Sequence, residues 1–225
     1  MAIAKPKPFP LLPAALARSP LVQNLAVILA VNWVMQGMRG MQRRELTFRL
    51  LLEALLTLLL LPVPGAAGVA APTGFGLALF TAHTLNFLLN GQFWVCLRYA
   101  AFWRRDPAAL DAFLAATATR LRALPWLHEA FCIGSRGAGQ GAGGPRSDID
   151  LRLVFPPGLA GWLRTNLLLT ELRLRAFFAA VPLDLYGYDD LAPLARFRVD
   201  EPVLLLCDRR GRLARALVGR KVVRW

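Results

Sequence analysis

Cysteine is scarce in this chain of 225 residues, where only Cys96, Cys132 and Cys207 are present. The three lie far apart and without metal-ligand spacing, so neither a disulfide framework nor a zinc site is indicated, and we interpret them as reduced thiols. Acidic residues are also scarce, with 14 Asp and Glu against 27 Lys and Arg, for a formal net charge of +13. This excess favours polyanionic partners: anionic lipid head groups, nucleotides or nucleic acid.

Polar residues are few enough to limit the class of protein. With 56% hydrophobic residues, the chain is too apolar for a simple soluble domain and too short for a transporter with many helices. The sequence shows no internal repeat of the kind that builds solenoids. A membrane segment followed by one small domain fits these limits.

The N-terminal part divides into an arm and an apolar run. Residues 1–20 contain five prolines and three basic residues, which predicts a mobile or surface-lying arm rather than a packed element. Residues 21–38 would form a helix about one bilayer thick. Its polar Asn24, Asn32 and Gln36 keep to one side, so a spanning and an interfacial helix both remain open. A cleaved signal peptide is less favoured, because no small-x-small cleavage site follows the run.

A transmembrane hairpin is predicted next. Apolar segments at about 46–64 and 74–102 are joined by the uncharged stretch "GAAGVAAPT". Basic residues flank the outer ends of the pair, namely Arg39, Arg43, Arg44, Arg49, Arg98, Arg104 and Arg105. The positive-inside rule then places both ends in the cytoplasm. We therefore predict a membrane module over 21–105 of a protein in the cell membrane, with residues 106–225 cytoplasmic.

Two ionisable residues lie inside the predicted hairpin. Glu53 and His83 stand at similar depth, so the hairpin can bring them together. His83 also shares a helical face with Asn86 and Asn90. The residues alone leave two interpretations open: a polar seam that joins two helices, or a groove for a lipid substrate.

After Arg105 the pattern becomes that of a small α/β unit. Asp106 as N-cap and Pro107 at the first helical position begin an amphipathic helix. The stretch "HEAFCIGS" predicts a strand that runs into a glycine-rich loop, and "DIDLRLVF" predicts a second strand. A helix over 162–180, a strand over 181–188, and a strand, turn and second strand within 202–218 complete the prediction.

Three aspartates are candidates for one metal site. Because side chains alternate on a strand, Asp148, Asp150 and Arg152 point away from the apolar face formed by their neighbours. Two adjacent carboxylates repel unless a cation lies between them, and a hard divalent ion such as Mg²⁺ is a common solution. Asp184, on the next strand, alternates with leucines and can face the same side.

The glycine-rich loop is a candidate phosphate-binding element. Gly134 lets the backbone approach a phosphate closely, and the hydroxyl of Ser135 together with successive N–H groups can hold its oxygens. Arg136 can add a charge-assisted contact. A glycine-rich loop alone is most often a connector, so its position directly before the aspartates is what favours a site.

This arrangement resembles the core of the DNA polymerase beta-like nucleotidyltransferase superfamily, especially its minimal members. The resemblance covers roughly 108–218. The matching residues are Gly134, Ser135, Arg136, Ser147, Asp148, Ile149, Asp150, Leu151 and Asp184. Ala138 stands where the minimal members carry an arginine, and the segment between the two motifs is a little longer than theirs.

The resemblance implies a fold and a reaction. The fold would be an α/β nucleotidyltransferase domain, a small mixed sheet with flanking helices, preceded here by transmembrane helices. The reaction would transfer a nucleoside monophosphate from a nucleoside triphosphate to an acceptor, with Mg²⁺ or Mn²⁺ as cofactor. Asp148, Asp150 and Asp184 would bind metal and act in catalysis. Gly134, Ser135, Arg136 and Ser147 would bind the nucleotide.

The acceptor and two rival functions remain open at this point. A location in the membrane favours a lipid-linked or protein acceptor over nucleic acid, with membrane lipids as partners. The C-terminal seventeen residues carry seven basic ones but few aromatics, which favours a surface beside an anionic leaflet over single-strand stacking. The rivals are a nucleotidyltransferase that modifies protein or tRNA, and a non-catalytic membrane scaffold that binds nucleotide.

Overall fold

The structure is a computed structural model and describes Ile3, residues 6–9 and residues 12–225. Its fold is mixed α/β, with helices before and around one sheet. Residues 1, 2, 4, 5, 10 and 11 of the predicted arm lie outside the described residues. The helices are α1 (Ala14–Ala17), α2 (Leu25–Met35), α3 (Arg43–Leu60), α4 (Pro62–Ala66), α5 (Ala71–Leu89), α6 (Gln92–Leu97), α7 (Pro107–Arg122), α8 (Gly158–Phe178) and α9 (Arg212–Ala216).

Five strands form one mixed sheet, in the order β3-β2-β1-β4-β5. Strand β1 is antiparallel to both β2 and β4, whereas the pairs β2–β3 and β4–β5 are parallel. The strands are β1 (Glu129–Ile133), β2 (Ile149–Val154), β3 (Leu183–Tyr188), β4 (Val203–Asp208) and β5 (Val222–Arg224). The predicted small mixed sheet with flanking helices is therefore confirmed.

The core lies on both faces of this sheet. On one face, Ile149, Leu151 and Leu153 of β2 are fully buried together with leucines of α7 and α8. On the other face, Phe131 and Tyr188 belong to a second buried cluster. The alternation predicted for β2 is correct, because its odd-numbered residues enter the first cluster and leave Asp150 and Arg152 on the opposite face.

The first helix of the α/β unit is confirmed at its cap. Asp106 Oδ1 accepts a hydrogen bond from the Ala108 backbone N–H at 3.0 Å, and α7 follows with Pro107 in its first turn. Helix α8 begins at Gly158, before the predicted residue 162.

The prediction of a second strand within 202–218 is wrong. Strand β4 is followed by the short helix α9, and the last strand, β5, lies beyond residue 218. The Asp208 carboxylate accepts hydrogen bonds from Leu213 N at 3.2 Å and Ala214 N at 2.9 Å. These bonds satisfy N–H groups that a helix leaves free at its start, so they favour a helical turn over a strand.

The predicted single helix over 74–102 is also wrong, because α5 ends at Leu89 and α6 starts separately at Gln92. Gly91 between them has φ +76°, and a Cβ there would lie 3.2 Å from the Leu183 carbonyl oxygen of β3. Asn90 Nδ2 donates to the Gln36 carbonyl oxygen at 2.7 Å. Close contact with the sheet and with the end of α2 thus interrupts the helix.

Among the described residues, one helical segment, Arg43–Ala66, is long and apolar enough to cross a membrane. The apolar helix α2 has 11 residues, so it rises about 16 Å against a hydrocarbon core of about 30 Å. It is too short to span alone. Many side chains of the hairpin are exposed and apolar, among them Leu51, Leu55, Leu58, Leu59, Phe75 and Phe80.

The helical part packs directly on the α/β part. Trp94 of α6 donates to the Phe177 carbonyl oxygen at 2.9 Å, and Trp162 of α8 donates to the Arg44 carbonyl oxygen at 2.7 Å. Arg105, at the predicted boundary, donates to the Ala179 carbonyl oxygen at 2.6 Å. Residues on both sides of the boundary are therefore held in fixed contact rather than by a free linker.

The predicted contact between Glu53 and His83 is confirmed. His83 Nδ1 lies 2.7 Å from Glu53 Oε1, and His83 Nε2 lies 2.8 Å from the Trp33 carbonyl oxygen. Asn86 Nδ2 donates to Glu53 Oε2 at 3.0 Å. These bonds join α2, α3 and α5, which matches a polar seam between helices.

We expect this seam to be cooperative. Glu53→Leu or His83→Leu alone leaves a polar partner unpaired in apolar surroundings, at a cost of roughly 1–3 kcal/mol, whereas the double variant recovers much of that loss. Denaturant unfolding in detergent of the original protein, the two single variants and the double variant measures the coupling energy between Glu53 and His83. Additive effects of the two substitutions would contradict the pairing.

Candidate active site

Asp148, Asp150 and Asp184 converge on one cavity. The parallel pairing of β2 with β3 sets Asp150 directly beside Asp184. Ile133, the last residue of β1, pairs with Asp150, so the Gly134 turn follows immediately at the same edge. The cavity has a volume of about 960 Å³, and Ser135 and Ser147 line it together with the three aspartates. The structure thus brings together the predicted acidic residues and the predicted loop.

Gly134 lies in close contact with Asp150, whereas its predicted contact with a phosphate stays a prediction. Its φ is +74°, and a Cβ at this position would lie 2.7 Å from Asp150 Oδ2. A side chain here would therefore collide with the carboxylate as well as strain the backbone. Glycine leaves the backbone of the turn directly against the acidic group.

The glycine-rich loop also sets the positions of two predicted serines. A Cβ on Gly143, whose φ is +84°, would lie 2.9 Å from Ser147 Oγ and 3.2 Å from Ser135 Oγ. Ser147 Oγ accepts a hydrogen bond from Gly144 N at 2.8 Å. The loop therefore holds both hydroxyl groups beside the same short stretch of backbone on the cavity wall.

Arg136, which was predicted to contact the nucleotide, lies elsewhere. Its side chain is fully buried and donates to Asp111 Oδ1 on α7, and the other carboxylate oxygen of Asp111 accepts from Gly141 N at 3.1 Å. Arg136 does not line the cavity. Its guanidinium anchors the glycine-rich loop to α7, so the prediction of a phosphate contact for this residue is wrong.

Two arginines partly neutralise the aspartates. Arg98 Nη1 lies 2.5 Å from Asp148 Oδ1. Arg152 Nη2 lies 3.2 Å from Asp184 Oδ2 and 3.8 Å from Asp150 Oδ1. Three carboxylates and two guanidinium groups leave one negative charge in excess at neutral pH when all are ionised.

Asp150 is the carboxyl group of the three that is hardest to ionise. Burial raises its pKa well above the ordinary range, and the neighbouring Asp148 and Asp184 raise it further. Burial also raises the pKa of Asp184, but Arg152 and a hydrogen bond shared with Asp150 outweigh burial and leave that pKa lowered. Of this neighbouring pair, Asp150 therefore takes up a proton first and Asp184 stays ionised.

The donor set fits a hard divalent cation, although its present arrangement is incomplete. No three His, Cys, Asp or Glu side chains within the described ranges are grouped around one metal position, and Asp148 is held by Arg98. The side chains offer carboxylate oxygens, the ligands that Mg²⁺ and Mn²⁺ prefer, and a bound cation would favour the ionised form of Asp150. Asp150 and Asp184 would hold such an ion, and Asp148 would join them on releasing Arg98.

Sequence reasoning missed two residues at the cavity. Lys7, from the predicted arm, donates through Nζ to Asn32 Oδ1 at 3.2 Å and lies 5.2 Å from the centre of the Tyr99 ring. From the sequence, Arg98 is only one of the basic residues that flank a predicted membrane helix. No local pattern distinguishes either one, because each reaches the cavity through contacts between distant parts of the chain.

Comparison of the chain with protein-family models, with curated proteins and with solved structures finds no significant match.

Proposed function

We propose that this protein is a membrane-anchored nucleotidyltransferase that transfers a nucleoside monophosphate from a nucleoside triphosphate to an acceptor. One observation carries the proposal: Asp150 and Asp184 lie side by side on neighbouring strands, against the Gly134 backbone and on the same cavity as Asp148. The resemblance to the nucleotidyltransferase superfamily requires this convergence. Unrelated surface aspartates would have no reason to share one buried wall.

The residues of the cavity suit the reaction. The acceptor oxygen attacks the α-phosphorus, one O–P bond forms, the bond to the bridging oxygen breaks, and pyrophosphate leaves. Asp184 receives the proton where the attacking group is a hydroxyl, and an anionic acceptor oxygen attacks without losing one. The Gly134–Ser135 backbone and the hydroxyls of Ser135 and Ser147 hold the triphosphate. A bound Mg²⁺ or Mn²⁺ would lower the pKa of the attacking hydroxyl and neutralise charge that develops on the phosphate oxygens.

The two guanidinium groups favour a second candidate function, a non-catalytic scaffold that binds nucleotide. Arg98 and Arg152 already satisfy much of the charge on Asp148 and Asp184. A protein that used the aspartates only to hold these arginines would need neither a metal ion nor an acceptor. Loss of the aspartates would then lower stability rather than transfer activity.

Transfer of label tests the proposal. The full chain in lipid nanodiscs is incubated with each α-³²P-labelled nucleoside triphosphate and Mg²⁺ or Mn²⁺, and label is followed into lipid, protein and added tRNA. We expect transfer to lipid or protein, with release of pyrophosphate. Label on tRNA would support the tRNA-modifying alternative. Tight nucleotide binding without transfer to any acceptor would support the scaffold.

A topology experiment tests the predicted orientation of the protein in the membrane. The basic flanks of the hairpin predict that the 63–73 connection lies outside the cell and the aspartates inside. Cys96, Cys132 and Cys207 are buried, so they give little background, and Ala67 is exposed. A membrane-impermeant thiol reagent should label Ala67→Cys in intact cells. Labelling that appears only after lysis would reverse the predicted orientation.

A further inference from the structure

The cavity at the aspartates has an apolar wall that nucleotide transfer alone does not require. Besides the aspartates, the cavity is lined by the apolar side chains of Phe9, Leu12, Val22, Val27, Val31 and Met35. Val27, Val31 and Met35 recur every four residues, so they form one stripe along α2. The stripe extends about 12 Å along the helix axis. At about 960 Å³, the cavity is near the upper end of the range for small-molecule sites, which leaves room for a second ligand beside a nucleotide.

The apolar stripe leads to the acidic end of the cavity. Gly37 and Gly40, just after α2, pack so closely on Tyr186 that a Cβ on Gly40 would lie 2.5 Å from its ring. Tyr186 stands two positions after Asp184 on β3. The chain that follows α2 therefore lies against β3 close to Asp184, and the stripe runs from Met35 at this end of α2 to Val27.

A cationic group lies between the two ends. Lys7 Nζ bonds Asn32, which is on α2 beside Val31. Asn32 Oδ1 is the one hydrogen-bond partner of this ammonium among the described residues, and an ammonium has three donors. Arg39 and Arg146 also line the cavity. The wall thus carries positive charge that can bind the polar head of a ligand whose apolar chain lies along α2.

Helix α2 lies between this wall and the helices with the most exposed apolar surface. Helix α2 is joined to α5 by the bond from Trp33 Nε1 to Thr84 Oγ1 at 3.1 Å, and α5 packs against α3, the helix long enough to span. Val31 and Met35 are more than a third exposed. An apolar chain bound here would therefore cover exposed apolar side chains, whereas a tRNA or peptide would find few hydrogen-bond partners along the stripe.

We propose that this cavity binds an anionic membrane amphiphile with a long apolar chain, the chain along α2 and the anionic head at Lys7. Resting on the proposed function, this amphiphile is the acceptor, because its head lies between Lys7 and the aspartates. Binding of the amphiphile does not itself require transfer, so the two proposals fail separately.

Photo-crosslinking tests the site directly. The probe is hexadecyl phosphate with a diazirine in its chain, incorporated with the full-length protein into phosphatidylcholine nanodiscs, and adducts are mapped by mass spectrometry. We expect adducts on Val27, Val31 and Met35 that excess unlabelled hexadecyl phosphate removes. Adducts on Leu55 and Leu59, which face outward on α3, report ordinary lipid contact and should resist this competition.

Two variants separate the cavity from the outer surface. Val27→Trp fills the apolar wall and should reduce the α2 adducts at least tenfold. Val34→Trp, on the same helix but exposed and outside the cavity lining, should leave them unchanged. Lys7→Ala should reduce adducts of the phosphate probe several-fold, but not those of the matched uncharged hexadecanol probe.

The outcomes distinguish the two proposals. Adducts confined to α3, or α2 adducts that Val27→Trp does not change, would overturn the amphiphile site. Binding of Mg²⁺ and nucleoside triphosphate is measured on the same nanodiscs, and its retention in Val27→Trp shows that the variant is folded. Crosslinking without any nucleotide binding would retain the amphiphile site and overturn the proposed function. Transfer that persists unchanged in Val27→Trp would overturn the acceptor assignment alone.

Discussion

Asp150→Asn should abolish nucleotide transfer while leaving the protein folded. The amide has nearly the same size but cannot supply negative charge to the reacting centre, so we expect transfer to fall by on the order of a hundredfold or more. The Arg152 guanidinium keeps its partner, because it remains 3.2 Å from Asp184 Oδ2. The assay is transfer of the α-labelled phosphate under saturating nucleotide.

Stability should respond in the opposite direction. Because burial, Asp148 and Asp184 raise the pKa of Asp150, its ionised form is unfavourable in the folded state. The stability that this group contributes is fully present below its unfolded pKa of about 3.9 and is lost as pH rises through the raised folded pKa. Asp150→Asn should therefore equal or exceed the original protein in unfolding free energy at pH 7, and this advantage should disappear at low pH.

The matched control is Asp200→Asn, an exposed aspartate whose partner is Arg198 at 2.5 Å. It should retain full transfer. The assignment of the chemistry to this cavity would be wrong if Asp148→Asn, Asp150→Asn and Asp184→Asn all kept full activity. A large loss of stability in the same three variants would instead favour the scaffold.

Glu45→Leu should be among the most destabilising single substitutions in the chain. Glu45 of α3 is fully buried, and one carboxylate oxygen pairs with Arg173 of α8. The other accepts a hydrogen bond from Gly187 N of β3 at 2.8 Å. Removing the carboxylate leaves the buried Arg173 guanidinium facing the like charge of Arg49, which is also buried. We expect a loss of about 3–5 kcal/mol in unfolding free energy.

Denaturant unfolding in detergent measures this loss, and two further variants interpret it. The double variant Glu45→Leu with Arg173→Leu removes both charges and should recover a large part of the stability. Glu171→Leu breaks two partly exposed pairs of α8, with Arg120 at 3.2 Å and Arg175 at 2.9 Å, and should change stability by no more than about 1 kcal/mol. Equal effects of Glu45→Leu and Glu171→Leu would contradict a buried anchor between α3 and the sheet.

Much of the α/β part could be predicted because its signals are local. The alternation of β2 separates Asp150 from Ile149 and Leu151 by the geometry of any strand. The Asp106 cap and Pro107 determine where α7 begins within a few residues of chain. The strand carrying Asp184 is also correct. Even so, the sequence could not show that β2 and β3 are adjacent, which is what sets Asp150 beside Asp184.

Two of the wrong predictions concern residues that contact distant segments of the chain. A helix over 74–102 is locally reasonable, but Gly91 contacts Leu183 of β3 and the helix ends before it. Arg136 belongs to a motif that suggests phosphate binding, yet its guanidinium pairs with the carboxylate of Asp111, 25 residues earlier. In both cases a contact with a distant element outweighs the preference of the local sequence.

The sequence by itself determined the alternating strand of aspartates, the glycine turn before it, the basic excess and the apolar helices, because each depends on residues close together in the chain. Only the tertiary structure decided that Lys7 and Arg98 join the aspartates, that Glu45 is tied to Arg173 across 128 residues, and that an apolar stripe of α2 faces the same cavity. The physical reason is that buried charge and apolar surface are stabilised by whichever partners packing brings near, and sequence separation does not limit that choice.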